Sequence, residues 1–190
     1  NLDEAEEQNL SNYESFNAFF TRRLKSSCRP IVGDETAVIS PVDGYLTQFG
    51  VAKNGTLIQA KGINYRIEEL LGETTGFNLS NQFSYATLYL SPSQYHRVHL
   101  PISGTVTRTR YIPGKRFSVN EATASSIRGL YCHNERVITW FKTNAGEMAL
   151  VLVGALNVSS ISIHWLGEII SGKPKVWDEN ENHPRQYKRG

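Results

Sequence analysis

Between Ser15 and Lys25 the apolar residues Phe16, Phe19, Phe20 and Leu24 recur at helical spacing, with Arg22, Arg23 and Lys25 on the polar faces and near the helix end. The spacing predicts one short amphipathic helix. Its phenylalanines fit first a stripe docked on the core, with the apolar side of a basic aromatic helix lying on a bilayer as the other reading. After Pro30 the period shortens to two. Tyr45, Thr47, Phe49 and Val51 alternate, Lys53-Asn54-Gly55 turns and Thr56 to Ala60 returns, which predicts a hairpin. Asn64 is placed to cap a short helix through Glu68, Glu69, Leu70 and Leu71 that Gly72 stops. Runs rich in β-branched and aromatic residues follow at Tyr85 to Leu90, Thr105 to Ile112, Arg136 to Phe141, Met148 to Val153 and Val158 to Trp165.

About eight strands and two or three helices result, without internal repeats. The fold class is α+β and β-rich: a sandwich- or barrel-like sheet core with a few short helices and an N-terminal amphipathic helix. A single domain spans 1–190, with the helical segment at 1–30, the β-rich catalytic core at 31–172 and a polar segment at 173–190 that reads as an opened loop.

Composition narrows the function classes. A net charge of +2 over 190 residues is too mild for a nucleic-acid binder. Locally, though, Arg108, Arg110, Lys115 and Arg116 fall in a stretch with no acid from Pro101 to Asn120, which could face phosphate or a lipid surface or be an ordinary solvated strand face. The two cysteines, Cys28 and Cys132, form no Cys-x-x-Cys, so neither a disulfide framework nor a thiolate zinc site is written here and the chain reads as cytosolic or cytosol-facing. No run approaches the roughly 18 apolar residues of a membrane span. The start Asn1-Leu2-Asp3 resembles neither a signal peptide nor an initiator, so a removed upstream segment is expected.

Three segments can carry chemistry. Tyr95-His96-Arg97-Val98-His99 follows an apolar run and supplies two imidazoles for proton transfer and a fixed cation for a carboxylate or phosphate. In an extended chain His96 and His99 point to opposite faces, whereas a turn would let them converge, so no metal site is assigned. Ser40-Pro41-Val42-Asp43-Gly44 exposes a carboxylate that could orient an imidazole; an Asx-turn that only bends the chain is the other reading. Asn134-Glu135-Arg136-Val137 opens a strand with adjacent opposite charges, which must find separate partners and which base rates place at the surface. A Gly-x-Ser-x-Gly elbow and a phosphate-binding glycine loop are both absent from the sequence.

Taken in order, these motifs resemble the phosphatidylserine decarboxylase family from Ser15 to Gly190. The matching pieces are Phe16 to Phe20 with Arg29-Pro30-Ile31, Pro41 to Gly44, Gln59 to Gly62 with Tyr65 and Leu70-Leu71, Tyr95 to His99 with Pro101 and Gly104, Asn134 to Val137, and Val153-Gly154-Ala155. The resemblance implies a self-processing, membrane-associated enzyme that converts phosphatidylserine to phosphatidylethanolamine and carbon dioxide. Its cofactor would be a pyruvoyl group formed from the serine of a Gly-Ser-Thr motif, carried on a small subunit. No such motif occurs in this chain, a departure that fits a mature large subunit or a truncated chain rather than a complete enzyme.

Carried over by position, Asp43 and His99 would serve the self-cleavage and His96 the decarboxylation. Phe16, Phe19, Phe20, Tyr95 and Arg97 would meet substrate or membrane. A second carboxylate that some members place just before the Tyr-His-Arg unit is Gln94 here. The partners implied are the pyruvoyl-bearing subunit, phosphatidylserine, an anionic membrane surface and a second copy of the two-chain unit in a homodimer, with no nucleic acid. The implied location is peripheral, on the cytoplasmic face of a bacterial-type cell membrane. The competing readings are a pyridoxal- or metal-dependent hydrolase and a non-catalytic lipid-binding scaffold of the same fold.

Overall fold

A computed structural model describes residues 2–72, 82–179 and 182–190. A 3-10 turn at Leu10–Asn12 leads to α1 (Phe16–Phe20), then β1 (Tyr45–Ala52), β2 (Thr56–Ala60), β3 (Ile63–Arg66), α2 (Ile67–Leu71) and β4 (Phe83–Tyr89). The second half holds β5 (Gly104–Ile112), α3 (Glu121–Ala124), α4 (Leu130–His133), β6 (Arg136–Thr143), β7 (Gly146–Val153), β8 (Ser162–Ile163), β9 (Gly167–Glu168), β10 (Lys175–Asp178) and β11 (Gln186–Tyr187). The fold is β-rich with a few short helices, as expected. Its sheets stay open: a five-stranded sheet ordered β10-β5-β6-β7 with β11 also on β5, and the two-stranded pairs β1-β4, β2-β3 and β8-β9.

Strand β6 organises the core because both its faces are covered. Ile138 and Trp140 join Ala52, Leu57, Tyr65, Ile67, Leu70 and Leu71 in one buried cluster. Val137, pointing the other way, joins Tyr111, Ile163 and Ile169 in a second. A strand buried on both faces reads as a continuous run, and Arg136 to Phe141 is buried throughout.

Several elements differ from the sequence expectation. The helix predicted from Ser15 to Lys25 ends at Phe20. Ser15 caps its start by accepting from the Ala18 N–H, but beyond Thr21 the backbone turns to pair with the N-terminal segment: Ala5 bridges Leu24, Glu6 N donates to Arg23 O and Lys25 N to Glu4 O. Leu24 thus serves an extended pairing. The Asn54-Gly55 turn forms, with both residues at positive φ, yet its flanking strands part after one bridge between Lys53 and Thr56. Strand β1 pairs with β4 and β2 with β3, so the predicted hairpin is a turn between two ribbons. Asn64 lies inside β3, and α2 starts after Arg66; Gly72 ends it in the left-handed conformation at φ 70°, as its missing Cβ allows. Of the run Val158 to Trp165 only Ser162–Ile163 is strand.

The largest correction concerns 173–190. This polar segment contributes two strands to the edge of β5, with Trp177 opposite Thr109 and Gln186 opposite Thr105. Edge strands need only one apolar face, so a polar composition does not exclude them. Arg189 is tied down as well, its guanidinium donating to Ala37 O at 3.0 Å and Gly33 O at 2.8 Å, and Gly190 N donates to Leu100 O at 3.0 Å. No helix of the described residues is long and apolar enough to cross a membrane.

Candidate functional site

Two irregular segments are brought side by side beyond the ends of the β1-β4 ribbon. Ile39 N donates to Pro101 O at 2.9 Å and His99 N to Pro41 O at 2.8 Å, which sets Ser40–Gly44 against Tyr95–Pro101. Gly44 permits this approach: a Cβ there would stand 2.8 Å from the carbonyl oxygen of Tyr89. A turn closed by Gln94 N on Ser91 O at 3.0 Å, and by Ser91 N on the Gln94 side chain at 2.6 Å, delivers the chain from β4 into the histidine segment.

The two histidines do not converge. The His96 ring packs on Phe20 of α1 with centroids 4.0 Å apart, and its Nδ1 lies 2.9 Å from Gln94 O. That carbonyl can only accept, so Nδ1 carries the hydrogen and Nε2 keeps the lone pair. Nε2 is buried without a partner among the described residues. Burial, and secondarily the charge of Arg22, holds the imidazole below its ordinary pKa despite the opposing Gln94 bond, which favours the neutral form. His99 instead stacks on Tyr95, centroids 5.6 Å apart, with its Nε2 3.1 Å from the phenol oxygen. Burial raises the Tyr95 phenol above its usual pKa, so it stays protonated.

Asp43 reaches neither imidazole. Its carboxylate is gripped by Arg29, whose Nε donates to Oδ1 at 2.8 Å and Oδ2 at 2.9 Å and whose Nη2 donates to Oδ2. Asp43 and His99 are therefore neighbours through the Pro41–His99 backbone bond, without a side-chain link. Arg97 is anchored to the protein through one donor, Nε donating to Thr21 O at 2.7 Å at the end of α1. Phe16 stacks on Phe20 at 5.8 Å and is 77% exposed, so an aromatic column runs from solvent through Phe20 to His96. Phe19 packs edge-on against Tyr13 and lies under the Arg22 guanidinium.

The basic stretch is partly neutralised. Arg108 pairs with Asp178 at 2.7 Å and Arg116 with Glu135 at 2.9 Å. Asn134, Glu135 and Arg136, expected at the surface, are buried. They do find separate partners. Asn134 bonds both the N–H and the carbonyl of Phe117 and donates to Gly154 O. Glu135 accepts from Arg116, Tyr111 Oη and Ser171 Oγ. Arg136 donates to four backbone carbonyls. This trio locks the base of the sheet. Among the described residues no group of three or more His, Cys, Asp or Glu side chains gathers to hold a metal.

Sequence reasoning missed the roles of Arg29 and Arg22. Arg22 is buried, stacked on Phe19 with its Cζ 4.9 Å from the ring centroid, and its Nε has no partner among the described residues. An arginine before Pro30 carries no linear signal for a carboxylate 14 residues on.

Residues 16–190 match the family model described as Phosphatidylserine decarboxylase. The chain is 42% identical over 193 residues to the "Phosphatidylserine decarboxylase proenzyme" of Francisella philomiragia subsp. philomiragia, covering 100% of this chain and 68% of that protein. It is 46% identical over 183 residues to the protein of the same name from Francisella tularensis subsp. novicida, covering 95% of this chain and 64% of the relative. The chain thus spans about two thirds of the length of the curated relatives it matches.

Proposed function

The chain belongs to the phosphatidylserine decarboxylase family, and on that premise we propose that it is the large, upstream part of a self-processing enzyme converting phosphatidylserine to phosphatidylethanolamine and carbon dioxide. A pyruvoyl group on a separate small subunit would supply the carbonyl that withdraws electrons as carbon dioxide leaves. The residues present fit such a group: His96 Nε2 is a buried, neutral nitrogen lone pair without a partner among the described residues, available to a polar group from outside this chain.

That unpartnered nitrogen carries the reading. In the decarboxylation His96 would hold and return a proton through Nε2, with the Gln94 carbonyl fixing Nδ1–H and so directing chemistry to the other nitrogen. Phe20 over the ring excludes water, which favours dispersal of the carboxylate charge. In self-cleavage His99, its ring held by Tyr95, would take the proton of the serine hydroxyl through the nitrogen now facing Tyr95 Oη, with the nearby Asp43 carboxylate supplying negative charge that favours the charged form of the ring. Phe16 would enter the bilayer. The enzyme would sit peripherally on the cytoplasmic face of the membrane, its cations drawn to anionic lipid and its two-chain units paired as homodimers.

The test uses the full-length proenzyme. Wild type should yield two chains, the smaller one gaining mass on borohydride reduction as a ketone does. Asp43→Asn and His99→Ala should remain uncut, while His96→Ala should be cut and release no carbon dioxide. Cleavage of all three variants at the wild-type rate with full turnover would refute the assignment. Liposome binding by an uncut wild type with no carbon dioxide release would instead support a lipid-binding scaffold.

A further inference from the structure

All five N–H groups of Arg29 are committed. Nε donates to both Asp43 oxygens, Nη1 to Glu4 Oε1 at 2.9 Å and Cys28 O at 2.7 Å, and Nη2 to Glu4 Oε2 at 3.1 Å and to Asp43 Oδ2. The guanidinium is thus a planar connector with one carboxylate on each side, and the two acids hold its pKa above the ordinary arginine value. Glu4 is itself fixed through its backbone: its carbonyl accepts from Lys25 N, and the adjacent Ala5 is fully buried and bridged to Leu24. Asp43 accepts no other hydrogen bond from the described residues. Its plane is therefore set entirely by Arg29, and Arg29 is set by the N-terminal segment.

The side chains of Arg29, Asp43 and Glu4 are 40%, 29% and 38% exposed, and ion pairs this wet contribute little to stability. What such a saturated fork does provide is direction. Both Asp43 oxygens are engaged on the Arg29 side, which leaves the lone pairs of the opposite edge for a donor. We propose that Arg29 is the positioning residue for Asp43 in self-cleavage, and that Glu4 couples docking of the N-terminal segment to the aim of that carboxylate. This rests on the reading of Asp43 as the partner of His99. A lysine could supply the charge but not the fork.

The experiment follows the appearance of the two cleaved chains from full-length proenzyme after synthesis. Arg29→Ala should slow cleavage on the order of tenfold to a hundredfold, the range over which lost orientation of a reacting group acts. Arg29→Lys should be intermediate, and Glu4→Gln should slow cleavage less than Arg29→Ala. Added ethylguanidinium should restore part of the rate of Arg29→Ala and none of that of Asp43→Asn. Rescue by a small cation is a response that a folding defect does not give, and it keeps the test open if Arg29→Ala is less stable. Cleavage of folded Arg29→Ala at or above the wild-type rate, with Asp43→Asn and His99→Ala uncut, would overturn the role of Arg29 alone. Normal cleavage of Asp43→Asn would overturn the Asp43 reading and this proposal with it.

Discussion

Arg136 offers the sharpest test of what holds the fold. It is 4% exposed at the start of β6, has no carboxylate within ion-pair distance among the described residues, and donates to Leu70 O at 2.6 Å, Cys132 O at 2.7 Å, Glu69 O at 2.9 Å and Asn134 O at 3.0 Å. Glu69 and Leu70 lie at the end of α2 and Cys132 near the end of α4, where carbonyls lack intrahelical donors. One guanidinium therefore caps two helix C-termini and neutralises their partial negative charge. Burial of the cation pulls its pKa below the ordinary arginine value, so the favourable bonds work against a real desolvation cost.

Removing the side chain in Arg136→Ala recovers that cost but strands four carbonyls at about 1–3 kcal/mol for each one left without a donor, for a net loss of about 3–5 kcal/mol. At about 2–4 °C per kcal/mol for a chain of this size, the melting temperature should fall by roughly 6–20 °C. Arg136→Lys, which cannot span four acceptors, should fall between. Thermal and urea unfolding followed by circular dichroism would measure both. A shift under about 2 °C for Arg136→Ala would refute the claim that this residue ties α2 and α4 to the sheet.

Tyr111 Oη donates to Glu135 at 3.2 Å in the buried base of the sheet, so Tyr111→Phe should cost about 1 kcal/mol in wild type and almost nothing in a Glu135→Ala background. Equal costs in the two backgrounds would show that the pair is uncoupled. His96 titrates below its unfolded value, so the unfolded chain binds the extra proton first as pH falls. The His96 contribution should be complete above about pH 6.5 and decline as pH falls from there to the depressed native pKa; melting temperatures of His96→Asn across that window should show a flatter slope than wild type. Phe16→Ser should weaken binding to anionic liposomes about tenfold or more with no change in melting temperature, because the ring is 77% exposed. Phe20→Ser should also disturb His96, on which Phe20 packs, and a Phe20→Ser variant with wild-type pH dependence would sink the idea that this ring governs the imidazole.

The sequence was informative where one residue type in one local pattern has one physical outcome. The β-branched run of β6 announced a strand, Asn54-Gly55 a turn, and Gly72 a helix stop. The order of short motifs was enough to point to the family. It misled where a partner far along the chain decides the outcome. Leu24 has helical spacing, yet Ala5 takes its backbone into a bridge. The polar 173–190 segment looks like loop until the open edge of β5 supplies hydrogen bonds.

The same division governs the site. Residue chemistry offered Asp43, His96 and His99 as candidates, and the order of family motifs gave them their roles. Only the tertiary structure separated the two imidazoles, sending His96 under Phe20 and His99 onto Tyr95, and only it handed Asp43 to Arg29. Linear sequence fixes which groups are available and, through local sterics, which turns and strands can form. Which donor meets which acceptor depends on strand pairing and burial among residues tens of positions apart, and that is settled when the whole chain packs.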